Sequence, residues 1–144
     1  MQVQQILKSK PETGVATIQP GSSVSDAATL LSQKRIGSLV VSSTGSDVIG
    51  ILSERDIVRE LGKRGATCMS DKVDDLMTST IVTCSPGDDT SSVLSKMTEG
   101  RFRHMPVMEG NVMVGLISIG DVVKARLAQL SMEKDALEGM IMGF

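Results

Sequence analysis

Short apolar runs alternate along the chain with stretches in which apolar residues recur every three or four positions. Two runs, residues 39–41 and 48–52, are rich in β-branched residues and enclose a polar segment, which predicts two strands joined by a hairpin turn. A brief apolar segment ending near Ile18 predicts an earlier strand. Apolar residues at helical spacing within 27–31 and 57–61 predict one helix before the hairpin and one after it.

The chain repeats this pattern once. The segment Thr17-Ile18-Gln19-Pro20-Gly21 returns 66 positions later, beginning at Thr83, and Gly50-Ile51-Leu52-Ser53 returns 65 positions later, beginning at Gly115. The difference of one position falls in the predicted hairpin turn, where a folded repeat tolerates a change of length. We therefore predict an α/β fold (α+β in some schemes) made of two β-α-β-β-α repeats, packed sheet to sheet with pseudo-two-fold symmetry.

The repeat predicts the boundaries of the parts. Residues 1–62 form the first repeat with a lead-in helix, 63–72 a polar linker without regular structure, and 73–130 the second repeat. The tail, 131–144, is too apolar for a solvated chain end, so it either docks on the domain or contacts a partner, and we favour a seam between copies. Cys68 in the linker is expected to be exposed. The apolar residues of the tail are Leu137, Met140, Ile141, Met142 and Phe144.

Composition and charge exclude several classes of function. The 144 residues carry 15 Lys+Arg and 17 Asp+Glu, a formal charge of −2, which lacks the positive excess that drives nucleic-acid binding. No apolar run is long enough to span a membrane, and the N-terminus has no signal pattern, so we expect a cytoplasmic protein. A single His and two cysteines without CxxC spacing predict neither a multi-His metal site nor a disulfide framework, and no cofactor is expected to be required.

The repeated pattern Gly-h-h-Ser-x-x-Asp (h is an apolar residue) places a serine at a strand end and a carboxylate in the first turn of the next helix. In the simplest interpretation, Ser53 and Ser118 are N-caps, and Asp56 and Asp121 complete capping boxes. The same geometry suits a ribonucleotide, because a helix N-terminus attracts phosphate and a carboxylate accepts both hydroxyls of a ribose. The residues alone leave both interpretations open.

Two threonines also recur. Thr17 and Thr83 end the first strand of each copy before a proline that cannot continue a ladder, so each is a candidate site residue or an ordinary edge threonine. Arg55 is a candidate phosphate ligand in the first copy, where the second copy has Ile119-Gly120. The two sites are therefore not expected to be equivalent.

The dipeptides that enter the second strand of each copy are Gly37-Ser38 and Arg103-His104. Arg103 offers a bidentate fork to phosphate oxygens, and His104 offers a further hydrogen bond. A solvated arginine and a structural histidine are the alternatives for these two side chains.

The doubled motifs resemble a known family. Two copies of Thr-h-x-Pro and of Gly-h-h-Ser-x-x-Asp, together with Met105-Pro106-Val107 in the second copy, resemble the tandem cystathionine-β-synthase (CBS) domain pair, or Bateman module. The resemblance extends from Val3 to about Leu130 and is similar to the small stand-alone CBS-pair proteins. The first copy departs from the pattern in having Val40 where the second has Pro106.

The resemblance implies a regulatory binding module and not an enzyme. Such pairs bind adenosine-containing ligands in two clefts between the repeats, with AMP, ADP or ATP the main expectation and S-adenosylmethionine or NAD(H) as alternatives. Two modules often pair into a disk-like homodimer. Ligand binding would favour one arrangement of the repeats, which an unidentified regulated protein would then recognise in trans.

The resemblance also implies roles for individual residues. Asp56 and Asp121 would hold ribose hydroxyls, Leu39 and Met105 would sandwich the adenine, and Arg103 would approach phosphates. The remaining candidate binding residues are Thr17, Gly37, Ser38, Ser53, Arg55, Thr83, His104, Pro106 and Ser118.

Two other functions stay open at this point. The protein could be a structural or interaction dimer whose clefts hold no nucleotide, in which case Asp56 and Asp121 act only as caps. It could also be a nucleotide hydrolase, which would need a metal-binding carboxylate cluster or an activated nucleophile. The sequence shows no pattern for either.

Overall fold

The computed structural model describes residues 1–10 and 14–142 and contains two small sheets with helices around them. The predicted α/β fold with two repeats is confirmed. In chain order the elements are α1 (Val3–Ser9), β1 (Thr17–Ile18), α2 (Val24–Lys34), β2 (Ser38–Val41), β3 (Gly50–Ser53), α3 (Glu54–Arg64), a 3₁₀ helix (Gly65–Ser70), α4 (Val73–Leu76), α5 (Thr90–Gly100), β4 (His104–Glu109), β5 (Val112–Ser118) and α6 (Ile119–Met142).

The first repeat forms a three-stranded sheet. Strand β1 pairs parallel with β2, with Thr17 opposite Val40, and β2 pairs antiparallel with β3, with Ser38 opposite Ser53. Ser23 caps the start of helix α2, since its hydroxyl accepts a hydrogen bond from the Asp26 amide at 3.0 Å. The core packs the inner faces of α2 and α3 on this sheet. Its largest fully buried side chains include Leu39, Leu52, Val24, Val41 and Val73.

The second repeat has the same order but a shorter first strand. Strands β4 and β5 form a hairpin, and the counterpart of β1 is a single parallel bridge between Cys84 and Val107. The Cys84 amide donates to the Pro106 carbonyl at 3.0 Å, and the Met108 amide donates to the Cys84 carbonyl at 2.8 Å. Burial raises the pKa of the Cys84 thiol to about 11, with a further contribution from the charge of Asp88, so this thiol stays protonated.

The chain divides into two compact units, and the lead-in helices are exchanged between them. The unit of the first repeat contains residues 14–82 and 109–114, and the unit of the second repeat contains 1–10, 83–108 and 115–142. Helix α1 therefore packs with the second repeat, and α4 with the first. The two units are defined by contacts and not by sequence repeats. The predicted repeat boundaries, 1–62 and 73–130, therefore stay a prediction.

Backbone hydrogen bonds hold each lead-in helix in place. The Val3 amide donates to the Asp88 carbonyl at 2.9 Å, and the Val73 amide donates to the Ser22 carbonyl at 2.8 Å. Val3 and Val73 are both fully buried, so each helix completes the core of its unit.

Residues 63–72 are more ordered than the sequence predicted. Helix α3 continues to Arg64, a 3₁₀ helix follows, and Cys68 within it is fully buried, so the expected exposure of Cys68 is wrong. The sequence pattern did not reveal this burial, because a 3₁₀ helix of six residues is too short to show an apolar repeat. Arg64 helps to hold the segment by pairing with Glu60 and Asp71.

The tail continues α6 without a break. The described tail residues Leu137, Met140, Ile141 and Met142 are exposed and are not docked on the domain. Phe144, which was expected to take part in the same seam, lies outside the described residues. None of the described helices is both long and apolar enough to cross a bilayer.

We expect Gly50→Ala to destabilise the protein by about 1–3 kcal/mol, the usual cost of an added group in a packed interior. The new Cβ would lie 2.8 Å from Met77 Cγ and 3.0 Å from the Thr78 carbonyl oxygen. Thr78 cannot retreat, because it exchanges backbone hydrogen bonds with Ile51. Urea unfolding measures the change, and Gly62→Ala is the control.

The control variant is expected to gain about 0.5–1 kcal/mol of stability, since alanine is the better helix former. A Cβ at Gly62, within α3, meets no atom within 4 Å. Equal stability of the Gly50→Ala variant and the wild type would contradict the packing of α4 on β3.

We expect Thr90→Val to stabilise the protein by about 1 kcal/mol, because it removes a polar group that is buried without a hydrogen bond. The Thr90 side chain is fully buried, and within the described residues its hydroxyl has no hydrogen-bond partner. Val24 occupies the equivalent position of the first repeat and is also fully buried. Urea unfolding of the variant tests this, and a loss of stability would show that the hydroxyl is solvated or bonded.

Candidate functional site

In the first repeat, Ser53 and Asp56 close the turn between β3 and α3. The Ser53 backbone amide donates to Asp56 Oδ2 at 2.9 Å, and the Asp56 amide donates back to the Ser53 hydroxyl at 3.3 Å. The Ser53 hydroxyl also donates to Oδ2 at 3.1 Å. The predicted capping box is therefore present, and the Asp56 side chain is 11% exposed.

The second repeat has the same reciprocal pair. The Ser118 amide donates to Asp121 Oδ2 at 2.9 Å, and the Asp121 amide donates to the Ser118 hydroxyl at 3.0 Å. The interpretation of both motifs as helix caps is confirmed. Because each carboxylate also lies at a helix N-terminus, the backbone amides around it attract negative charge.

The two carboxylates differ in the cation beside them. Arg59, one turn along α3, donates from Nη2 to Asp56 Oδ1 at 2.7 Å. Asp121 instead meets Lys10, which follows α1, and Lys10 Nζ lies 2.9 Å from Asp121 Oδ2 and 2.9 Å from the Leu116 carbonyl oxygen. The two turns are therefore not equivalent. The sequence predicted a difference between them from Arg55, which has no counterpart in the second repeat.

The charged form of Asp121 is stabilised. Burial by itself disfavours a carboxylate and raises the pKa, but the Ser118 amide and the Lys10 ammonium favour the charged form and outweigh burial. The pKa of Asp121 consequently lies below its ordinary value.

The dipeptides that enter the second strands lie beside these turns. The Glu54 amide, the first of α3, donates to the Gly37 carbonyl at 2.9 Å, and the Ile119 amide, the first of α6, donates to the Arg103 carbonyl at 2.8 Å. Ser38 is buried and lies opposite Ser53 in the sheet. The structure thus brings the Gly37-Ser38 and Arg103-His104 positions next to the capping boxes, with His104 at the start of β4.

The other candidate residues differ in how far their side chains are exposed to solvent. Leu39 and Met105, the expected adenine walls, are fully buried in the two core clusters, and Pro106 is buried beside Met105. Arg55 and Thr83 are exposed, and Thr17 is partly buried. Contact of any of these residues with a ligand stays a prediction.

A cavity of about 490 Å³ lies between α2 and α3 in the unit of the first repeat. Gly37, Arg35, Glu54 and Val58 are among its lining residues, but Ser53 and Asp56 are not. Because neither Ser53 nor Asp56 lines this cavity, the cavity is not evidence for a ligand site at the Asp56 carboxylate.

Sequence reasoning missed three contributions near the turns. Arg59 was detectable, because residues three apart on a helix are neighbours. Lys10 was not, because it lies 111 positions from Asp121. Arg35 and Arg101, which are equivalent residues 66 positions apart, cap the C-terminal ends of α2 and α5 in the left-handed conformation, at φ 54° and 56°, a role that usually goes to glycine.

A family model matches the chain twice. The model is that of the CBS domain, and it matches residues 3–63 and 73–128. The matched segments contain both Ser-x-x-Asp turns, and they end before the last part of α6.

Among curated proteins, the mitochondrial CBS domain-containing protein CBSX3 of Arabidopsis thaliana is 36% identical over 124 residues. The matched segment is 83% of this chain and 60% of that relative, so the chain spans less than two thirds of its length.

Solved structures agree with the fold. The CBS-domain containing protein ATU1752 from Agrobacterium tumefaciens matches with a TM-score of 0.82 and 40% identity, over 88% of this chain and 99% of that one. The CBS domain pair of protein MJ0100 matches with a TM-score of 0.74 over 90% of this chain and 98% of that one, and at 22% identity it is a likeness of fold.

The lowered pKa of Asp121 predicts an acid-dependent contribution to stability. A group whose pKa falls on folding stabilises the folded state above its ordinary pKa, about 3.9, and loses that contribution as the pH falls through the folded value. We expect wild type to exceed Asp121→Asn in stability from pH 7 down to about pH 5, with the difference shrinking below about pH 4. Urea unfolding across this range tests it.

Lys10→Met supplies the second arm of a double-mutant cycle with Asp121→Asn. We expect a coupling of about 0.5–1 kcal/mol, because the pair is partly exposed and solvent screens it. A stability difference between wild type and Asp121→Asn that does not change with pH, or zero coupling, would contradict the role of this ion pair.

Proposed function

The chain belongs to the CBS-domain family, and we propose that it is a regulatory module that binds an adenosine-containing ligand beside its two Ser-x-x-Asp turns. One observation carries the proposal. In each repeat a carboxylate at the start of a helix is oriented by the amide of the preceding serine at 2.9 Å. This duplicated arrangement combines an acceptor for ribose hydroxyls with a helix terminus that attracts phosphate.

Asp121 keeps one oxygen for a ligand. Across residues 1–10 and 14–142, its side-chain hydrogen bonds to the Ser118 amide and to Lys10 both use Oδ2. Oδ1 can therefore accept a ribose hydroxyl without breaking the cap. The Lys10 ammonium beside it would meet a negative group on the same ligand.

Asp56 requires a rearrangement before it can bind a ribose. Its Oδ1 accepts from Arg59, and its Oδ2 accepts from Ser53. The Arg59 side chain is 55% exposed, so it can rotate into solvent at small cost. We therefore propose that the turn of the second repeat binds the ligand more tightly than that of the first.

The ligand class follows from shared chemistry. The MJ0100 pair was crystallised with 5′-methylthioadenosine and S-adenosyl-L-methionine, both of which contain adenosine. For this chain we propose AMP or ATP, because Arg103 is exposed beside the second turn and would approach a phosphate together with the neighbouring His104. S-adenosylmethionine and NAD(H) are the alternatives within the class.

The proposed mechanism is regulatory and not catalytic. A ligand shifts a conformational equilibrium only by its difference in affinity for the two states, so binding would favour one state of the module. A separate protein would recognise that state. The regulated protein and the cytoplasmic location stay predictions from the sequence.

Thermal unfolding with and without ligand tests the proposal directly. A ligand that binds only the folded protein at 100 times its Kd adds about 2.7 kcal/mol of stability. We expect the Tm to rise with AMP or ATP and to stay unchanged with inosine monophosphate, which differs in the base. If AMP, ATP, S-adenosylmethionine and NAD(H) all fail to raise the Tm, the module has no ligand of this class.

Single substitutions test the ribose contact. We expect Asp121→Asn to weaken binding at the second turn about 10- to 100-fold, the value of a hydrogen bond to a charged acceptor. Asp56→Asn should have the same effect at the first turn. Isothermal titration with AMP measures both.

Asp75→Asn is the matched control for these titrations, because the Asp75 carboxylate accepts from the Lys72 amide at 3.1 Å in a capping box that has no predicted ligand contact. It should leave the affinity unchanged. Unaltered affinity in both Asp56→Asn and Asp121→Asn would show that the carboxylates act only as caps.

A further inference from the structure

The last half of α6 is a helix that the described residues of its own chain leave uncovered. Residues 130–138 are all exposed, and α6 runs to Met142, well beyond residue 128, where the family match ends. An isolated helical segment of this length is marginal in water. To be stable, this segment therefore needs to pack on a partner surface, and the described residues of the two matched CBS domains do not provide one.

An apolar stripe, which we define by five residues, runs along α6 from its first half into the uncovered segment. They lie between 42% and 76% exposed, and their spacing of three and four matches the core positions of a coiled coil, with Lys134 filling the one polar position in the series. The face that contacts the domain is a different one, centred on Val122. The stripe residues are Val123, Leu127, Leu130, Leu137 and Ile141.

We infer that α6 pairs antiparallel with α6 of a second copy of this chain through this stripe. In that arrangement Leu127 lies opposite the partner's Leu137, and Val123 lies opposite the partner's Ile141. Lys134 lies opposite the partner's Leu130, where its aliphatic stem covers the leucine while its ammonium reaches solvent.

The charged residues beside the stripe select the antiparallel orientation. Residues that flank the core on the same side face each other in an antiparallel pair. This places Lys124 opposite the partner's Glu138 twice along one flank, and it places the two copies of Glu133 opposite each other once along the other flank. A parallel pair would instead place Glu133 opposite the partner's Glu138, twice. It would also stack the two copies of Lys134 in the core.

The structure leaves both partners of the antiparallel ion pair accessible. Lys124 is exposed on α6. Glu138 is 59% exposed, and its contact within the helix is a loose one, with Lys134 Nζ 3.8 Å from Glu138 Oε1. An exposed contact of this length yields readily to a new pairing.

Sedimentation equilibrium of the full chain tests the stripe. We expect a reversible dimer, and we expect Leu137→Glu to raise its dissociation constant about 100-fold, since the change enters two layers of each dimer. The matched control is Met132→Glu, which adds the same charge at an exposed apolar residue off the stripe and should leave the constant unchanged. Circular dichroism confirms that both variants keep their helix content.

Charge reversal tests the orientation. In the antiparallel dimer Glu138→Lys faces Lys124 and weakens association about five- to tenfold at low salt, and adding Lys124→Glu restores it. In a parallel dimer Glu138→Lys would instead strengthen association by meeting the partner's Glu133. A monomer at all concentrations, a dimer unaffected by Leu137→Glu, or a dimer strengthened by Glu138→Lys would each overturn the inference.

Discussion

The turn between a strand and the following helix is the constraint on which the rest of each repeat depends. A helix start leaves four backbone amides without partners inside the helix. The serine and aspartate of the turn satisfy two of the nearby donors by bonding each other's amides. The first amide of the helix, that of Glu54 or Ile119, then bonds the residue that enters the second strand. The cap thus joins helix, hairpin and candidate site in one hydrogen-bonded group.

Duplication preserved this group and varied its surroundings. Both repeats keep the carboxylate at the same distance from the serine amide, but one carboxylate pairs with Arg59 on its own helix and the other with Lys10 from the exchanged lead-in segment. A cation on the same helix depends only on local geometry. A cation from a distant segment depends on the packing of α1, so the charge of the second turn is coupled to the folding of its whole unit.

The elements that were predicted correctly from the sequence depend on contacts between residues close together in the chain. Ser53 and Ser118 were recognised as N-caps because the donor and acceptor lie within three residues of each other, and the hairpins were recognised from two apolar runs with a turn between them. The expected exposure of Cys68 was wrong, because the 3₁₀ helix that contains it packs on α2 and α3. Val58 and Leu61 belong to an apolar pattern in α3 but are exposed, which only packing could decide.

The sequence by itself determined the number of repeats, the order of their elements, the caps and the family, since each is encoded by residues close together or by the same residues returning at a fixed interval. Tertiary structure decided which unit receives each lead-in helix, which cation accompanies each carboxylate, and which face of α6 is left uncovered. These depend on contacts between residues up to 111 positions apart. No periodicity along the chain records such contacts, because they exist only once the core has packed.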